Sequence, residues 1–196
     1  MILPGQPIPD RGSGASKGPL DQPFGIPLPL VVRRPFGSGR PVSPFTLGTM
    51  RALAGQENLR SVLEAALGAG INHIETAPAY GPAEQFLGEA LRHLEAHDPI
   101  NRHQLVITSK LLPGCGDGLG VHDGLDQVRG SLRRLGLKRL DNLAIHGLNT
   151  PEHLAWALRG PGGDLLKAVI DAGLVDQVGF SSHGSTDVIE IGRAHV

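Results

Sequence analysis

Four polar residues stand at the carboxyl-terminal ends of successive predicted strands, where they could perform acid–base chemistry. They are a carboxylate, an amine, an imidazole and a hydroxyl, in chain order Glu75, Lys110, His146 and Ser181. Side chains of these types can hold a proton, move one, or stabilise a charge that develops during a reaction. Because the carboxyl ends of parallel strands meet at one face of a sheet, we expect a reactive site there.

The chain alternates between short apolar runs and segments with helical spacing. Strands are predicted at residues 45–49, 71–74, 105–108, 142–145 and 177–180, and helices at 57–67, 84–94, 121–135 and 165–172. Five such units in series indicate a parallel sheet with right-handed crossovers.

Two α/β architectures share this alternation, and the polar residues favour one of them. A doubly wound sheet would place a G-x-G-x-x-G motif after its first strand, whereas the chain has Gly48-Thr-Met-Arg-Ala-Leu there. A (β/α)8 barrel gathers its chemistry at the ends of successive strands. The predicted fold is therefore an α/β, partial (β/α)8 TIM barrel with about five of its eight βα units.

The two ends of the chain differ in composition from the barrel segment at residues 29–189. Proline, glycine and serine dominate residues 1–28, which we expect to be disordered. Residues 31–43 predict a short β-hairpin around Gly37 and Gly39. Residues 190–196 depart from the helical pattern that begins at Thr186, and they are predicted to be a non-native tail.

Charge and cysteine content limit the function classes. The 196 residues carry 18 basic and 19 acidic side chains and a net charge of −1, so no general field attracts nucleic acid or a membrane surface. The single cysteine excludes an internal disulfide, and no metal site is predicted. We expect a cytoplasmic protein that acts on a small molecule.

Residues 69–88 carry the most specific motif of the chain, AGINHIETAPAYGPAEQFLG. Here the chain resembles the aldo-keto reductase family, whose second strand typically reads G-x-N-x-x-D-T-A-x-x-Y-G before a glutamate and L-G. Matching segments follow in the family's order, at residues 47–49, 106–110, 145–146 and 179–183. The resemblance covers residues 33–189 and implies an oxidoreductase that reduces aldehydes or ketones with NADPH or NADH.

The resemblance also implies roles for individual residues. The family's tetrad falls on Glu75, Tyr80, Lys110 and His146. Tyr80 would donate a proton to the substrate oxygen, and a phenol does this poorly at neutral pH unless a neighbour such as Lys110 favours its ionised form. Glu75 would hold that lysine, and His146 would orient the oxygen. Cofactor contacts would fall on Gly48, Thr49, Met50, Ser181 and Ser182.

Glu75 is the main departure, because the family usually has aspartate there. Two other interpretations stay open. The chain could be a non-catalytic, cofactor-sensing regulatory subunit, or an aldolase-type barrel that uses Lys110 as a Schiff-base nucleophile.

The length of the chain predicts a truncated family member. A complete barrel needs about 250 residues, so the fragment is expected to be inactive. It should neither bind cofactor tightly nor fold as a stable monomer, because unpaired edge strands would expose inward-facing residues such as Leu47, Ile107 and Val178.

Overall fold

A computed structural model describes residues 32–51, 54–113 and 119–195. The disorder predicted for residues 1–28 lies outside these ranges. Within them the elements alternate between strand and helix, in the order β1 (Thr46–Gly48), α1 (Gln56–Gly68), β2 (His73–Glu75), α2 (Ala83–His97), α3 (Pro99–Gln104), β3 (Val106–Leu111), α4 (Val121–Leu135), β4 (Leu140–Ile145), α5 (Pro151–Arg159), α6 (Pro161–Asp171), β5 (Val175–Phe180) and α7 (Thr186–His195).

The five strands form one parallel sheet in sequence order, β1-β2-β3-β4-β5. Helices connect each strand to the next, as right-handed βα units require. The predicted partial (β/α)8 barrel is therefore confirmed. Among the described residues, no helix has the length and apolar composition needed to cross a membrane.

The two faces of the sheet differ in polarity. Register and the two-residue alternation of strands place Glu75, Thr108 and Lys110 on one face. The other face packs against the helices in a single apolar core, in which Ile74, Ile107, Leu143 and Ile145 contact Leu63, Leu87, Leu132 and Leu165.

The inward orientation expected for Leu47, Ile107 and Val178 is wrong. Leu47 and Ile107 stand opposite Ile74, and Val178 stands opposite Leu143, so all three belong to the helix-facing side. The reason is the alternation itself, because the positions between them carry the polar residues that face the barrel interior.

A buried ion pair joins α2, β3 and α4 on the helix side of the sheet. The Glu84 carboxylate, with an exposure of 0%, accepts from the Ser109 hydroxyl at 2.6 Å and from Nε of Arg134 at 2.7 Å. A Cβ on Gly88 would lie 2.1 Å from the Arg134 carbonyl oxygen, so α2 and α4 approach too closely for any other residue there. These contacts fix the helix layer behind Lys110.

The predicted hairpin is confirmed as one antiparallel bridge, between Arg34 and Val42. Gln177 of β5 holds its turn, because the side-chain oxygen accepts from Gly39 N at 3.0 Å and the amide donates to Phe36 O at 3.1 Å. Arg40 pairs with Asp141 at 2.5 Å. The hairpin therefore covers the amino-terminal ends of the strands, opposite the polar strand ends.

Two short helices, α3 and α5, were not predicted, although both have clear caps. The Asp98 side chain accepts from Asn101 N at 3.3 Å at the start of α3, and Thr150 accepts from His153 N at 3.3 Å at the start of α5. Proline follows each cap at the first helical position. The pairs Asp98-Pro99 and Thr150-Pro151 were the sequence features that could have predicted these two helix starts.

The break in helical pattern expected at residue 190 is wrong, because α7 continues to His195. Val188 and Gly192 are its buried positions, one turn apart. A Cβ on Gly192 would lie 2.8 Å from the Phe180 ring, so that ring fills the space an apolar side chain would occupy. Because a glycine occupies this buried position, the sequence lacks the apolar residue that would have continued the helical pattern. The non-native origin of residues 190–196 stays a prediction.

Candidate active site

Lys110 lies at the centre of the polar strand ends, with a side-chain exposure of 3%. Its ammonium donates to Glu75 Oε1 at 2.5 Å, to the Tyr80 hydroxyl at 2.8 Å and to the Thr76 carbonyl at 3.4 Å. An ammonium has three hydrogens, so these three acceptors use its full donor capacity. The lysine is thereby held between a carboxylate and a phenol.

Each partner of Lys110 is positioned by local structure. Glu75 is the last residue of β2, in register with Thr108 of the neighbouring strand. Tyr80 lies in the turn after β2, where its N–H donates to Ala77 O at 3.0 Å. Gly81 follows with φ of 58°, a conformation that favours glycine. The Lys110 Nζ also lies 4.7 Å from the centroid of the Tyr80 ring.

His146 follows β4 and contacts Tyr80 edge to face, with ring centroids 5.5 Å apart. Burial lowers the pKa of His146, the positive charge of Lys110 lowers it further, and Glu75 opposes both effects. The imidazole is therefore neutral at pH 7. Its Nδ1 is buried without a hydrogen-bond partner among the described residues. Unpaired buried N–H groups are rarer in proteins than unpaired buried acceptors, so the proton is assigned to Nε2.

The four residues Glu75, Tyr80, Lys110 and His146 border one open cleft of about 710 Å³. Apolar surface comes from Leu112 and Pro113. The remaining lining residues are Gly147, Asn149, His153, Ser181 and His183. The structure thus brings the four candidate residues together with Ser181.

Three polar lining residues had no role assigned from the sequence: Asn149, His153 and His183. Asn149 and His183 lie in the segments that follow β4 and β5. Their nearness in sequence to His146 and Ser181 could have predicted that they line the same cleft. His153 lies in the first turn of α5, a helix that was not predicted.

The structure separates the two serines that were predicted to contact cofactor. Ser181 borders the cleft, and its hydroxyl accepts from Gly147 N at 3.2 Å. The Ser182 hydroxyl is committed elsewhere, because it donates to Leu148 O at 2.6 Å and accepts from Gly184 N at 2.9 Å. Ser182 therefore ties loops together and does not line this cleft.

The three candidates at the end of β1, Gly48, Thr49 and Met50, do not line the tetrad cleft. Gly48 lines a second cavity of about 420 Å³ together with Arg51 and Asn58. Thr49 is buried, its N–H donates to Glu75 O at 3.0 Å, and its hydroxyl has no partner among the described residues. Met50 is 51% exposed and lines neither cavity.

A chain of hydrogen bonds crosses the polar face of the sheet below the cleft. His73 Nδ1 lies 2.8 Å from the Thr46 hydroxyl, and its Nε2 lies 2.8 Å from the Thr108 hydroxyl. Asn142 donates to the same Thr108 hydroxyl at 3.2 Å. This chain connects β1, β2, β3 and β4 and leaves neither ring nitrogen of His73 free.

We expect His73 to make the free energy of unfolding fall as pH falls. Burial lowers the pKa of His73, Glu75 and Asp141 oppose that effect, and Lys110 adds to it. Below the unfolded value of about 6.5, the unfolded state takes up the proton first, so stability is present above that pH and is lost below it. The loss from one group is at most about 1.4 kcal/mol per pH unit.

Urea unfolding of the complete enzyme and its His73→Gln variant at about pH 7.5 and about pH 5.5 measures this effect. The glutamine does not titrate, so the variant should lose less stability on acidification. Equal losses in the two proteins would contradict the role of His73.

The model of the Aldo/keto reductase family matches residues 44–195 of this chain. The chain is 32% identical to 2,5-diketo-D-gluconic acid reductase B of a Corynebacterium species over 158 residues, 79% of this chain and 51% of that protein. It is 30% identical to 6-dehydroglucose reductase of Novosphingobium aromaticivorans over 175 residues, 80% of this chain and 53% of that protein. The chain spans about half the length of these curated relatives.

Solved structures of aldo-keto reductases share the fold. One, from Pseudomonas aeruginosa, superposes with a TM-score of 0.66 at 27% identity, over 84% of this chain and 75% of that one. The Bombyx mori enzyme in complex with NADP superposes with a TM-score of 0.59 at 23% identity, over 76% of this chain and 51% of that one. The matched family model, the relatives and the parallel sheet agree, and the chain belongs to the aldo/keto reductase family.

Proposed function

We propose that this chain carries the proton-transfer site of an NADPH-dependent oxidoreductase that reduces an aldehyde or ketone to an alcohol. The observation that supports this most is the Lys110 ammonium held between the Glu75 carboxylate at 2.5 Å and the Tyr80 hydroxyl at 2.8 Å. Activity is proposed for a protein in which the barrel is complete, because the chain spans about half of its relatives.

Tyr80 is the proposed proton donor. The bound nicotinamide would supply a hydride to the carbonyl carbon, which leaves negative charge on the carbonyl oxygen. Tyr80 gives that oxygen its proton, and the Lys110 ammonium stabilises the phenolate that remains. Glu75 positions the ammonium, and its longer side chain still reaches Lys110 within hydrogen-bond distance. The change from aspartate therefore leaves the ion pair in place.

His146 is the proposed donor that orients the substrate oxygen. Its neutral imidazole carries the proton on Nε2, because Nδ1 is buried and unpartnered among the described residues. A neutral N–H near the carbonyl oxygen stabilises developing negative charge without competing with Tyr80 for the proton transfer.

Two of the five candidate cofactor residues fit a nicotinamide nucleotide best. Ser181 presents its hydroxyl at the edge of the cleft, and the buried Thr49 hydroxyl lacks a partner in the described part of the chain. Apart from its chain neighbours, no described residue has an atom within 4 Å of a Cβ built on Gly48, which leaves room at the end of β1. Ser182 does not fit, because it does not line the cleft and its hydroxyl donates to Leu148 O at 2.6 Å. NADPH is preferred, in line with the NADP of the Bombyx mori enzyme.

The geometry disfavours an aldolase reaction at Lys110. A Schiff-base lysine must present a free amine to a carbonyl. Here Nζ donates to three oxygens, and the side chain is almost fully buried. A carbonyl could not reach this nitrogen without breaking the ion pair.

The proposed reaction is tested by incubating the complete enzyme with NADPH and simple aldehydes. We expect NADPH to be consumed in step with alcohol formation. A lysine adduct trapped by borohydride would instead support the aldolase, and tight NADPH binding without turnover would support the cofactor-sensing subunit.

A further inference from the structure

His153 is the cleft residue whose ring orientation is best defined outside the tetrad. Thr150 caps the start of α5 by accepting from His153 N, which fixes the backbone of the first turn. The His153 ring is then held by a second bond, in which Asn149 N donates to its Nδ1 at 3.2 Å. Both the backbone and the ring of this residue are therefore anchored.

The bond from Asn149 determines the tautomer of His153. A nitrogen that accepts from a backbone N–H cannot carry a hydrogen itself, so the neutral ring has its proton on Nε2. This Nε2–H has no acceptor among the described residues, and the ring borders the cleft. His153 thus presents a hydrogen-bond donor to whatever the cleft binds.

Asn149 also fixes this donor relative to the tetrad. Its side-chain oxygen accepts from His183 N at 2.7 Å, so the loop after β4 is tied to the loop after β5. A Cβ on Gly184 would lie 2.6 Å from the Asn149 carbonyl oxygen, which shows how closely the two loops pack. The cleft wall that carries His153 is therefore preorganised.

We propose that His153 binds a second oxygen of the substrate, a hydroxyl or a carboxylate remote from the reacting carbonyl. This inference rests on the proposed reduction. Tyr80 and His146 supply two donors for the reacting oxygen, which leaves the His153 donor for another group. The charges of Glu75 and Lys110 neutralise each other. The His153 N–H can therefore bind either a neutral hydroxyl or a negatively charged carboxylate. A substrate without this oxygen leaves the N–H unpaired and is disfavoured.

Three four-carbon aldehydes separate the possibilities in the complete enzyme: butanal, 4-hydroxybutanal and succinic semialdehyde. The oxygenated aldehyde that the wild type prefers to butanal is the test substrate. His153→Phe should lower kcat/KM for this aldehyde roughly tenfold, the effect of losing one hydrogen bond. The same variant should change kcat/KM for butanal by less than about twofold. His153→Gln should restore the preference, because its amide can accept from Asn149 N and donate to the ligand. His103→Phe, on α3 at the amino-terminal side of the sheet, is the matched control and should behave as wild type.

The outcomes distinguish this inference from the proposed function. Reduction of butanal with no preference for either oxygenated aldehyde, or equal losses for all three in His153→Phe, would overturn the role of His153 and leave the reductase intact. If no aldehyde is reduced, ¹⁵N spectra of the imidazoles still decide. Without NADPH, an oxygenated aldehyde should shift the protonated Nε2 of His153 more than butanal does. An Nδ1–H tautomer, or equal shifts, would overturn it.

Discussion

Replacing Tyr80 with phenylalanine should lower kcat of the complete enzyme by roughly two to four orders of magnitude, the range expected when a positioned proton donor is removed. The variant deletes only the hydroxyl that lies 2.8 Å from Lys110. The ring remains, with its edge-to-face contact to His146 and its position beside the ammonium. Folding and cofactor affinity should therefore change little.

Steady-state NADPH oxidation measures this effect, and titration of NADPH fluorescence provides the control for cofactor binding. A low kcat with an unchanged dissociation constant for NADPH assigns the loss to chemistry. Unchanged turnover would show that another group supplies the proton. Loss of cofactor binding along with turnover would show that Tyr80 has a structural role instead.

Replacing Lys110 with methionine should reduce kcat by roughly a hundredfold to a thousandfold, as for other preorganised charge-stabilising donors. Methionine has a similar length but no charge. Without the ammonium, the Glu75 carboxylate stands close to the phenol with no counter-ion, and its negative charge opposes formation of the phenolate. Glu75 is 35% exposed, so water screens part of this repulsion and the protein should still fold.

The double variant Lys110→Met with Glu75→Gln separates stability from chemistry. Neutralising Glu75 removes the unpaired charge, so the double variant should unfold at a higher urea concentration than Lys110→Met alone. Its turnover should stay low, because the group that stabilises the phenolate is still missing. Recovery of turnover in the double variant would contradict the role assigned to Lys110.

The fold could be predicted because the strand and helix patterns were largely local. The helix predicted at residues 121–135 matches α4, and Gly136 ends it with φ of 68°. The five parallel strands follow in the predicted order. It was harder to predict which face of the sheet each strand residue occupies. Leu47, Ile107 and Val178 are apolar, and an apolar residue can be buried on either face. In this protein the polar strand residues face the barrel interior and the apolar ones face the helices. A rule that places apolar residues in the barrel interior predicts the opposite.

The tetrad residues could be proposed from the sequence because they stand at strand ends within a specific motif. The contacts of Ser182 and His153 could not, because the Ser182 hydroxyl bonds across two loops and the His153 ring depends on the local fold of the segment before α5. The Ser182 hydroxyl is hydrogen-bonded to Leu148 O and Gly184 N, and the ring of His153 is oriented by a hydrogen bond from Asn149 N. Such contacts depend on how the loops fold and pack, and residue type gives no signal for them.

The most direct test of the proposed reaction follows the hydride itself. The complete enzyme is supplied with NADPH that carries deuterium at the transferred position of the nicotinamide, together with an aldehyde that the wild type reduces. The alcohol is then analysed by mass spectrometry. We predict that the wild type places one deuterium on the former carbonyl carbon and that Tyr80→Phe forms the same labelled alcohol far more slowly. Unlabelled alcohol, or bound NADPH with no alcohol, would contradict the proposal that this cleft reduces carbonyls with Tyr80 as proton donor.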